Sequence, residues 1–276
     1  MISISMFSFL NKRFRYSFIV LRELVITDFK LRYQSSALGY LWALLRPLFM
    51  FGIIYVFFTV ILGIGEGVEN WGVALLLGIV MWSFFQEVVK QGLKSVVSNG
   101  GVIRKINFPK YIIVASTSIS ALINLVINLV VVVIFAIING IEPNWGALLI
   151  PIFILELYIF GLGLAFLFSA INVKFRDIDY IWDVVTQALF YGSAIMFPLN
   201  QVVSFHQTAA TLLSISPITQ AIQDARHFGI TATADTAATV TDNIFVLVAP
   251  FIITTAVFIF GAWYFRRRSP YFAEEV

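Results

Sequence analysis

Stretches of nearly continuous apolar sequence recur along the chain, and the charged residues fall between them. A representative stretch is "LINLVINLVVVVIFAII" (122–138). Crossing a hydrocarbon layer takes about 20 apolar helical residues, and backbone in lipid must satisfy its own hydrogen bonds. The pattern therefore predicts six transmembrane helices, at about 38–63, 72–97, 111–139, 146–172, 178–199 and 243–265. No two-residue alternation of the kind that builds a barrel is present. The fold class expected is all-α: a polytopic membrane protein of one domain, 1–276. It has a cytoplasmic arm (1–37), a six-helix membrane domain (38–265) and a short tail (266–276).

The polar segments carry their own patterns. In the arm, Arg15, Arg22, Glu23, Lys30 and Gln34 fall mostly on one side of a helix, with Phe14, Phe18, Leu21, Val25 and Phe29 largely on the other. Asp28 and Arg32 interrupt the apolar side but stand four apart, where they can pair. Such an amphipathic helix lies in the headgroup layer, either as an anchor alone or also as a docking surface. Between spans two and three, "SNGGVIRKINFPKY" (98–111) breaks at Gly100-Gly101, offers a short amphipathic turn and ends at Pro109. A bare linker need not carry Val102, Ile103, Ile106 and Phe108 beside Arg104 and Lys105; an exposed apolar knob with basic flanks suits a groove in another protein. Between spans five and six, "LSISPITQAIQDARHFGI" predicts a helix with Ser216 as N-cap, Pro217 at the first position and Gly229 as its stop. With "FHQTAATLLSI" before it as a second short helix, it forms a re-entrant hairpin too short to span. "TATADTAATVTDN" (231–243) is expected to be a polar surface loop.

Charge orients these elements. Lys12, Arg13, Arg15, Arg22, Lys30 and Arg32 precede span one, Arg104, Lys105 and Lys110 follow span two, Lys174 and Arg176 follow span four, and Arg266, Arg267 and Arg268 follow span six. The other side carries Glu66, Glu69, Glu142, Asp224, Asp235 and Asp242, with Arg226 its one clear basic residue. The positive-inside rule then puts both termini in the cytoplasm. The first residues place a basic cluster after a short apolar stretch, the reverse of a signal peptide, so the N-terminus is expected to remain in the mature protein. Composition adds that 60% of residues are hydrophobic and 12% charged, and the pI near 9.1 reflects anchoring charge; nucleic-acid binding is not expected. The absence of cysteine excludes disulfides and thiolate metal sites.

Ionisable residues inside spans mark function by default. Here they are Arg46, beside Pro47 in span one, Glu87 and Lys90, three apart in span two, and Glu156 in span four. Arg46 can snorkel to the headgroups. Glu87 and Lys90 can pair on one helical face. Few carboxylates and no inverted repeat argue against an ion-driven transporter using Glu87 and Glu156. Asp177-x-Asp179 on the cytoplasmic side could hold a divalent metal for a transferase acting on a lipid-linked sugar, but it also reads as a charged loop starting span five. His206 and His227 lack ligand spacing, so no metal site is expected. No G-x-x-x-x-G-K-[ST] occurs, and "GIGEGVENWG" lacks the phosphate-binding lysine. The chain has no P-loop of its own and no nucleotide-binding domain is read in it.

Five stretches, in order along nearly the whole chain, resemble one family. They are "RELVITDFKLRYQSSALGYLWALLRPL", "VMWSFFQEVVKQGLKSVVSNGGVIRKINFPK", "GLGLAFLFSAINVKFRDI", "SPITQAIQDARHFG" and "FRRRSPYFAEEV". The family is the membrane subunits of bacterial polysaccharide ABC exporters, which move O-antigen, capsule or wall teichoic acid across the cytoplasmic membrane. The resemblance implies two copies of the permease forming a channel between them, paired with two copies of an ATPase that binds ATP and magnesium. It implies that Asn99, Val102, Ile103, Arg104, Lys105, Phe108 and Pro109 form the coupling helix in the ATPase groove. Ser216, where the family often has Asn, Pro217 and Gln220 would belong to an external gate. Arg46 would meet the pyrophosphate of a lipid-linked head group. Sugar C–H faces pack on aromatic rings, so Tyr40, Trp42, Tyr55, Trp82, Phe85 and Tyr191 are candidates to line the channel.

Overall fold

The computed structural model describes residues 15–28, 30, 39, 41–142 and 144–276, and among these there is no strand. The arm is helical over 15–28 (α1). Five helical segments are long and apolar enough to cross a membrane: Leu41–Ile61, Trp71–Ser98, Tyr111–Ile138, Trp145–Asn172 and Ile244–Glu275. The first runs as α2 (Leu41–Ile54) and continues with π-helical turns over Tyr55–Ile61. The others contain α3 (Trp71–Ser98), α5 (Tyr111–Ile138), α6 (Ile150–Asn172, entered through a 3₁₀ turn at Trp145–Leu149) and α12 (Ile244–Arg268). Between α3 and α5 lies α4 (Gly100–Lys105).

The expected fifth span is shorter than its apolar run. Helix α7 covers Ile178–Tyr191, 14 residues, or about 21 Å at 1.5 Å per residue. The chain then turns through Ala194, whose φ of 49° is left-handed, and continues as α8 (Leu199–Phe205), α9 (Gln207–Ser214), α10 (Pro217–Gly229) and α11 (Ala237–Val240). The segment 231–243, expected to be a surface loop, is partly packed. Thr236 and Thr239 form a reciprocal capping box on α11, and Ala237 and Val240 are buried.

Helix α3 is the axis. Of its most apolar stretch 78% is buried, against 28% or less in the other four long segments. It packs mainly on α5 and α6, and α6 packs on α12. The close crossings use residues without side-chain bulk, as expected where helices associate by backbone approach. A Cβ on Gly261 would overlap the Gly163 carbonyl oxygen, and one on Gly163 would sit 2.6 Å from Phe258 Cα. A Cβ on Gly92 would overlap that of Ala165.

Two apolar clusters cap the bundle differently. The large one runs along α3 to Ile218, Ile222 and Ala225 of α10. The smaller one, at the end where α1, α4 and the tail meet, joins Ile103, Phe108, Phe265 and Phe272, with Val20, Leu21 and Leu24 of α1 against it. We call these the hairpin end and the basic end. On α1 the buried contacts come from Val20, Leu21 and Leu24, whereas Phe18, expected on the apolar side, is exposed. Phe14, Phe29, Arg32 and Gln34 lie outside the described residues, and so does the expected pairing of Asp28 with Arg32.

If backbone approach holds α6 on α12, Gly261→Val destabilises the chain by on the order of 3 kcal/mol through overpacking. Gly101→Ala, with nothing within 4 Å of the new methyl, changes stability by less than about 1 kcal/mol. Thermal unfolding of the two variants in detergent gives the comparison; equal midpoints would refute the crossing as a constraint.

Candidate functional site

Three helices leave a cavity between them. It measures about 800 Å³ and is walled by α2, α3 and α5, with the end of α1 at its rim. Charge comes from Arg46, Lys90 and Lys94 against Asp28 and Glu87, and the rest of the polar lining is amide or hydroxyl: Gln86, Gln91, Asn99, Asn124, Asn128, Ser83 and Thr117 among them. Trp42 lines it as well. Of the residues singled out from the sequence, Arg46, Trp42, Glu87 and Lys90 come together here, with Asn99 at the edge. Arg46 is exposed while the adjacent Pro47 is buried.

The amides are held in a ladder. Asn124 Nδ2 and Gln91 Nε2 each donate to Glu87 Oε1 at 2.7 Å, and Asn128 Nδ2 donates to the carbonyls of Asn124 (2.8 Å) and Ala43 (3.2 Å). The pairing of Glu87 with Lys90 that their spacing predicts is not formed. Lys90 Nζ instead reaches Asp183 Oδ1 of α7 at 2.5 Å, and Lys94 Nζ reaches Asp179 Oδ2 at 2.8 Å. One helical turn on α3 thus faces one turn on α7 with matched charge, and Trp182 is buried between the two aspartates, its ring 5.0 Å from that of Phe168. Asp179 is committed to a lysine, and Asp177 is exposed. Among the described residues no group of three or more His, Asp or Glu is placed to hold a metal.

The remaining aromatic candidates are dispersed. Trp82 and Phe85 are buried in the core, with Trp82 packed on Phe85 and Phe190. Tyr55 is half-buried against Phe51 and lines a second cavity, beside the 65–73 segment. Tyr191 is exposed at the end of α7, and Tyr40 lies outside the described residues.

At the basic end, Asn99 precedes α4, its carbonyl accepting from Val102 and Ile103 and its Nδ2 donating to the Ser95 carbonyl at 2.8 Å. The apolar knob expected there is narrower than its sequence. Ile106 is exposed and Val102 half-buried, but Ile103 and Phe108 point into the small cluster and are buried. Arg104 and Lys105 are exposed, and Pro109 is half-buried before α5.

At the hairpin end the decisive residue is one the sequence reading passed over. Arg226 of α10 is fully buried. Its Nε donates to the Ala74 carbonyl (2.9 Å), Nη1 to Ala194 (3.0 Å) and Nη2 to Ile195 (2.6 Å), and its guanidinium lies 5.1 Å over the Trp71 ring. Burial pulls its pKa down to about 9, so it stays charged at neutral pH. Gln223 Nε2 donates to Ala194 as well, at 3.0 Å. Ser216 occupies the N-cap position by backbone alone: its carbonyl accepts from Gln220, and its side chain makes no capping bond. Pro217 is the first helical residue, as expected, and is buried. Gly229 ends α10 without a left-handed φ; a Cβ there would lie 2.6 Å from Ile150. Gln220 is buried, its Nε2 3.4 Å from Asp224 Oδ2. His206 is exposed, and His227 Nδ1 sits 2.7 Å from the Ala234 carbonyl.

An all-helical bundle around one deep axial helix, with a cavity lined by polar side chains beside that axis, is compatible with a membrane transport subunit. The chain belongs to the ABC-2 type transporter membrane family, whose profile matches residues 20–227. It is similar to O-antigen export system permease proteins RfbA: 26% identical to that of Myxococcus xanthus over 72% of this chain and 75% of the relative, and 27% identical to one of Klebsiella pneumoniae over 72% and 79%. It is also 24% identical to the polysialic acid transport protein KpsM of Escherichia coli, over 67% and 72%.

Two outcomes follow from the hairpin end. Arg226→Lys leaves carbonyls without donors, since one ammonium cannot reproduce the guanidinium fork; a loss of about 3–5 kcal/mol is expected. Should that variant not accumulate, Gly78→Ala tests the same contact, because its methyl would overlap the guanidinium. A normal thermal midpoint in both variants would refute the clamp. Asp224, outside the five long segments, has its pKa raised from 3.8 to about 6 by burial, against the opposing effects of Gln220 and His227. Stability from the protonated form is full below about pH 4 and is lost as pH rises through about 6, by no more than about 3 kcal/mol. Asp224→Asn should abolish this pH 4–6 decline in the thermal midpoint and stabilise the chain at pH 7.5.

Proposed function

We propose that this chain is the channel-forming permease subunit that exports a lipid-linked polysaccharide of the O-antigen, capsule or teichoic acid type, driven by ATP hydrolysis in a separate ATPase. The observation that carries the reading is the cavity: a large polar space lined by amides, hydroxyls and an indole beside Arg46, in a chain similar to polysaccharide export permeases. Amides and hydroxyls can exchange hydrogen bonds with sugar hydroxyls, and Trp42 can stack on a sugar's C–H face. Arg46 meets the pyrophosphate of the head group, two N–H groups to two oxygens. Both termini face the cytoplasm of a bacterial inner membrane, so the cavity opens toward the side where such a polymer is made.

Two copies of the chain enclose the channel and two ATPase subunits drive it. Ile106, Arg104 and Lys105 of the coupling segment contact the ATPase, while Asn99, Val102, Ile103, Phe108 and Pro109 fasten that segment to the bundle. Trp42, Tyr55 and Tyr191 present rings to the polymer, Tyr40 stands beside Trp42 in sequence, and Trp82 and Phe85 stiffen the wall from behind. Ser216, Pro217 and Gln220 belong to the external gate on α10. The competing reading, a transferase using Asp177 and Asp179, loses support because the two carboxylates do not converge: Asp177 is exposed, whereas Asp179 is turned toward Lys94 of α3.

Depleting the protein should accumulate full-length lipid-linked polymer on the cytoplasmic face; absent or shortened polymer would favour the transferase. Joint replacement Arg104→Ser and Ile106→Ser should lower export by about tenfold or more, equivalent to roughly 1.4 kcal/mol of coupling. Chain level and thermal midpoint should stay unchanged. Full export by that variant would overturn the assignment of the coupling surface.

A further inference from the structure

The two lysines of the cavity have a second allegiance. Lys90 and Lys94 line the space between α2, α3 and α5, yet their ammonium groups are spent on Asp183 and Asp179 of α7, a helix outside that lining. The lysine side chains are 38% and 47% exposed, and the aspartates 47% (Asp183) and 23% (Asp179), so Lys90–Asp183 is a solvent-screened pair that breaks easily and Lys94–Asp179 is the more sheltered of the two. The lysines also stand one turn apart on the same helix face as Glu87 and Gln91, whose contacts hold the neighbouring lining fixed. A phosphate placed in the cavity offers each ammonium more anionic oxygens than one carboxylate does, in charge-assisted bonds.

Beside the two ion pairs, α7 is held at that end by Trp182, buried against Phe85 and Phe168. The helix's exposed face carries Tyr180, Val184 and Tyr191. Past its far end come Ala194 and Ile195, whose carbonyls hold Arg226 of α10. A displacement of α7 at the basic end therefore acts on the seat of the hairpin at the other end, through one continuous stretch of chain.

We infer that Lys90 and Lys94 form a diphosphate-receiving site in the cavity, and that occupying it exchanges their aspartate partners for phosphate oxygens and lets the charged edge of α7 swing away from α3, with Trp182 and Phe190 as the pivot. This rests on the proposal that the cavity receives a lipid-borne diphosphate head group, and it adds the regulation of that site. Lys90 and Lys94 thereby act in binding, while Asp179 and Asp183 act as the latch that the ligand opens.

The chain has no cysteine, so Val184→Cys on α7 and Val126→Cys on α5 allow an unambiguous spin-label distance in the full chain. It is reconstituted in phosphatidylcholine nanodiscs, with inorganic pyrophosphate added from solution or a polyprenyl diphosphate included in the bilayer. Binding of radiolabelled forms of both probes is followed in parallel. The distance should change when diphosphate binds. Asp179→Asn with Asp183→Asn should show the changed distance without ligand and bind several-fold tighter. Lys90→Gln with Lys94→Gln should lose about tenfold or more in affinity, a decade being 1.4 kcal/mol, and show no ligand response.

The decisive variant exchanges the charges: Lys90→Asp with Asp183→Lys, and Lys94→Asp with Asp179→Lys. It should keep the resting distance of the unaltered chain and ignore diphosphate. A charge-exchanged chain that still responds would make the pairs purely structural and overturn the inference. Diphosphate binding that weakens in Arg46→Gln but leaves the α7 distance unchanged would overturn the latch alone and leave the cavity reading intact. No binding of either probe would overturn both. A response to the bilayer-borne probe only assigns the site to a lipid head group. A response to both assigns it to the diphosphate itself.

Discussion

A buried guanidinium that answers three backbone carbonyls is the interaction on which the rest of this bundle depends. Helix α7 stops after 14 residues, and the chain then runs through Ser193, Ala194, Ile195 and Met196, all buried. Non-helical backbone in such surroundings is tolerated only where protein groups satisfy it. Arg226 supplies three donors in a planar fork, to Ala74, Ala194 and Ile195. No carboxylate is among these contacts: the charge is compensated by carbonyl dipoles and by the face of Trp71. The neighbours are shaped around it. Gly78 is bare where the guanidinium lies, and Ala194 accepts a left-handed φ so that its carbonyl can receive two donors.

The opposite end is held by weaker and more accessible bonds. There α7 meets α3 through two partly exposed ion pairs, and α1, α4 and the tail share a small apolar cluster. A bundle fixed at one end by a desolvated cation and at the other by screened pairs has an uneven distribution of local stability. Its easiest motion begins at the basic end and reaches the hairpin end only through α7 and the carbonyls that follow it. Ile103 and Phe108 are buried in the same cluster as Val96, Phe265 and Phe272, so α4 is packed onto α12 as well as α3.

Local patterns in the sequence located most elements to within a few residues. The apolar runs predicted α2, α3, α5, α6 and α12, and the Ser216-Pro217 pair marked the start of α10, because span length and N-terminal preference are properties of neighbouring residues. What stayed illegible depends on distant partners. Asp183 is 93 residues from Lys90, so helical spacing favoured Glu87 instead. The side of α4 that turns inward is chosen by Phe265 and Phe272, which periodicity within a six-residue helix cannot reveal. The shortness of α7 was hidden by the apolar character of the turn that follows it. One signal was available for the clamp: Arg226 stood out as a lone basic residue among acidic neighbours, and a charge in an otherwise apolar or acidic setting calls for a partner. Of the candidate site, Arg46 and Trp42 were placed together by their own helix, while the amide ladder from Asn124 and Asn128 required knowing that α5 faces α3.

That ladder sets the character of the cavity. Isolated amides at this depth would be costly, but Asn124, Asn128, Gln91 and Glu87 satisfy one another and the Ala43 carbonyl, so the empty space is polar without being strained. The charges beside it are nearly balanced, Arg46, Lys90 and Lys94 against Asp28 and Glu87, and the two lysines are neutralised from behind by α7. A surface built this way presents many weak, replaceable hydrogen bonds and few fixed charges. A neutral polyhydroxylated chain can exchange contacts along it step by step without finding a deep minimum, while a single anionic group can still compete for the lysines. On the proposed reading, passage of a long polymer and a response to its charged end would need no separate compartments; both would draw on amides that bond to each other and cations that are only lightly held.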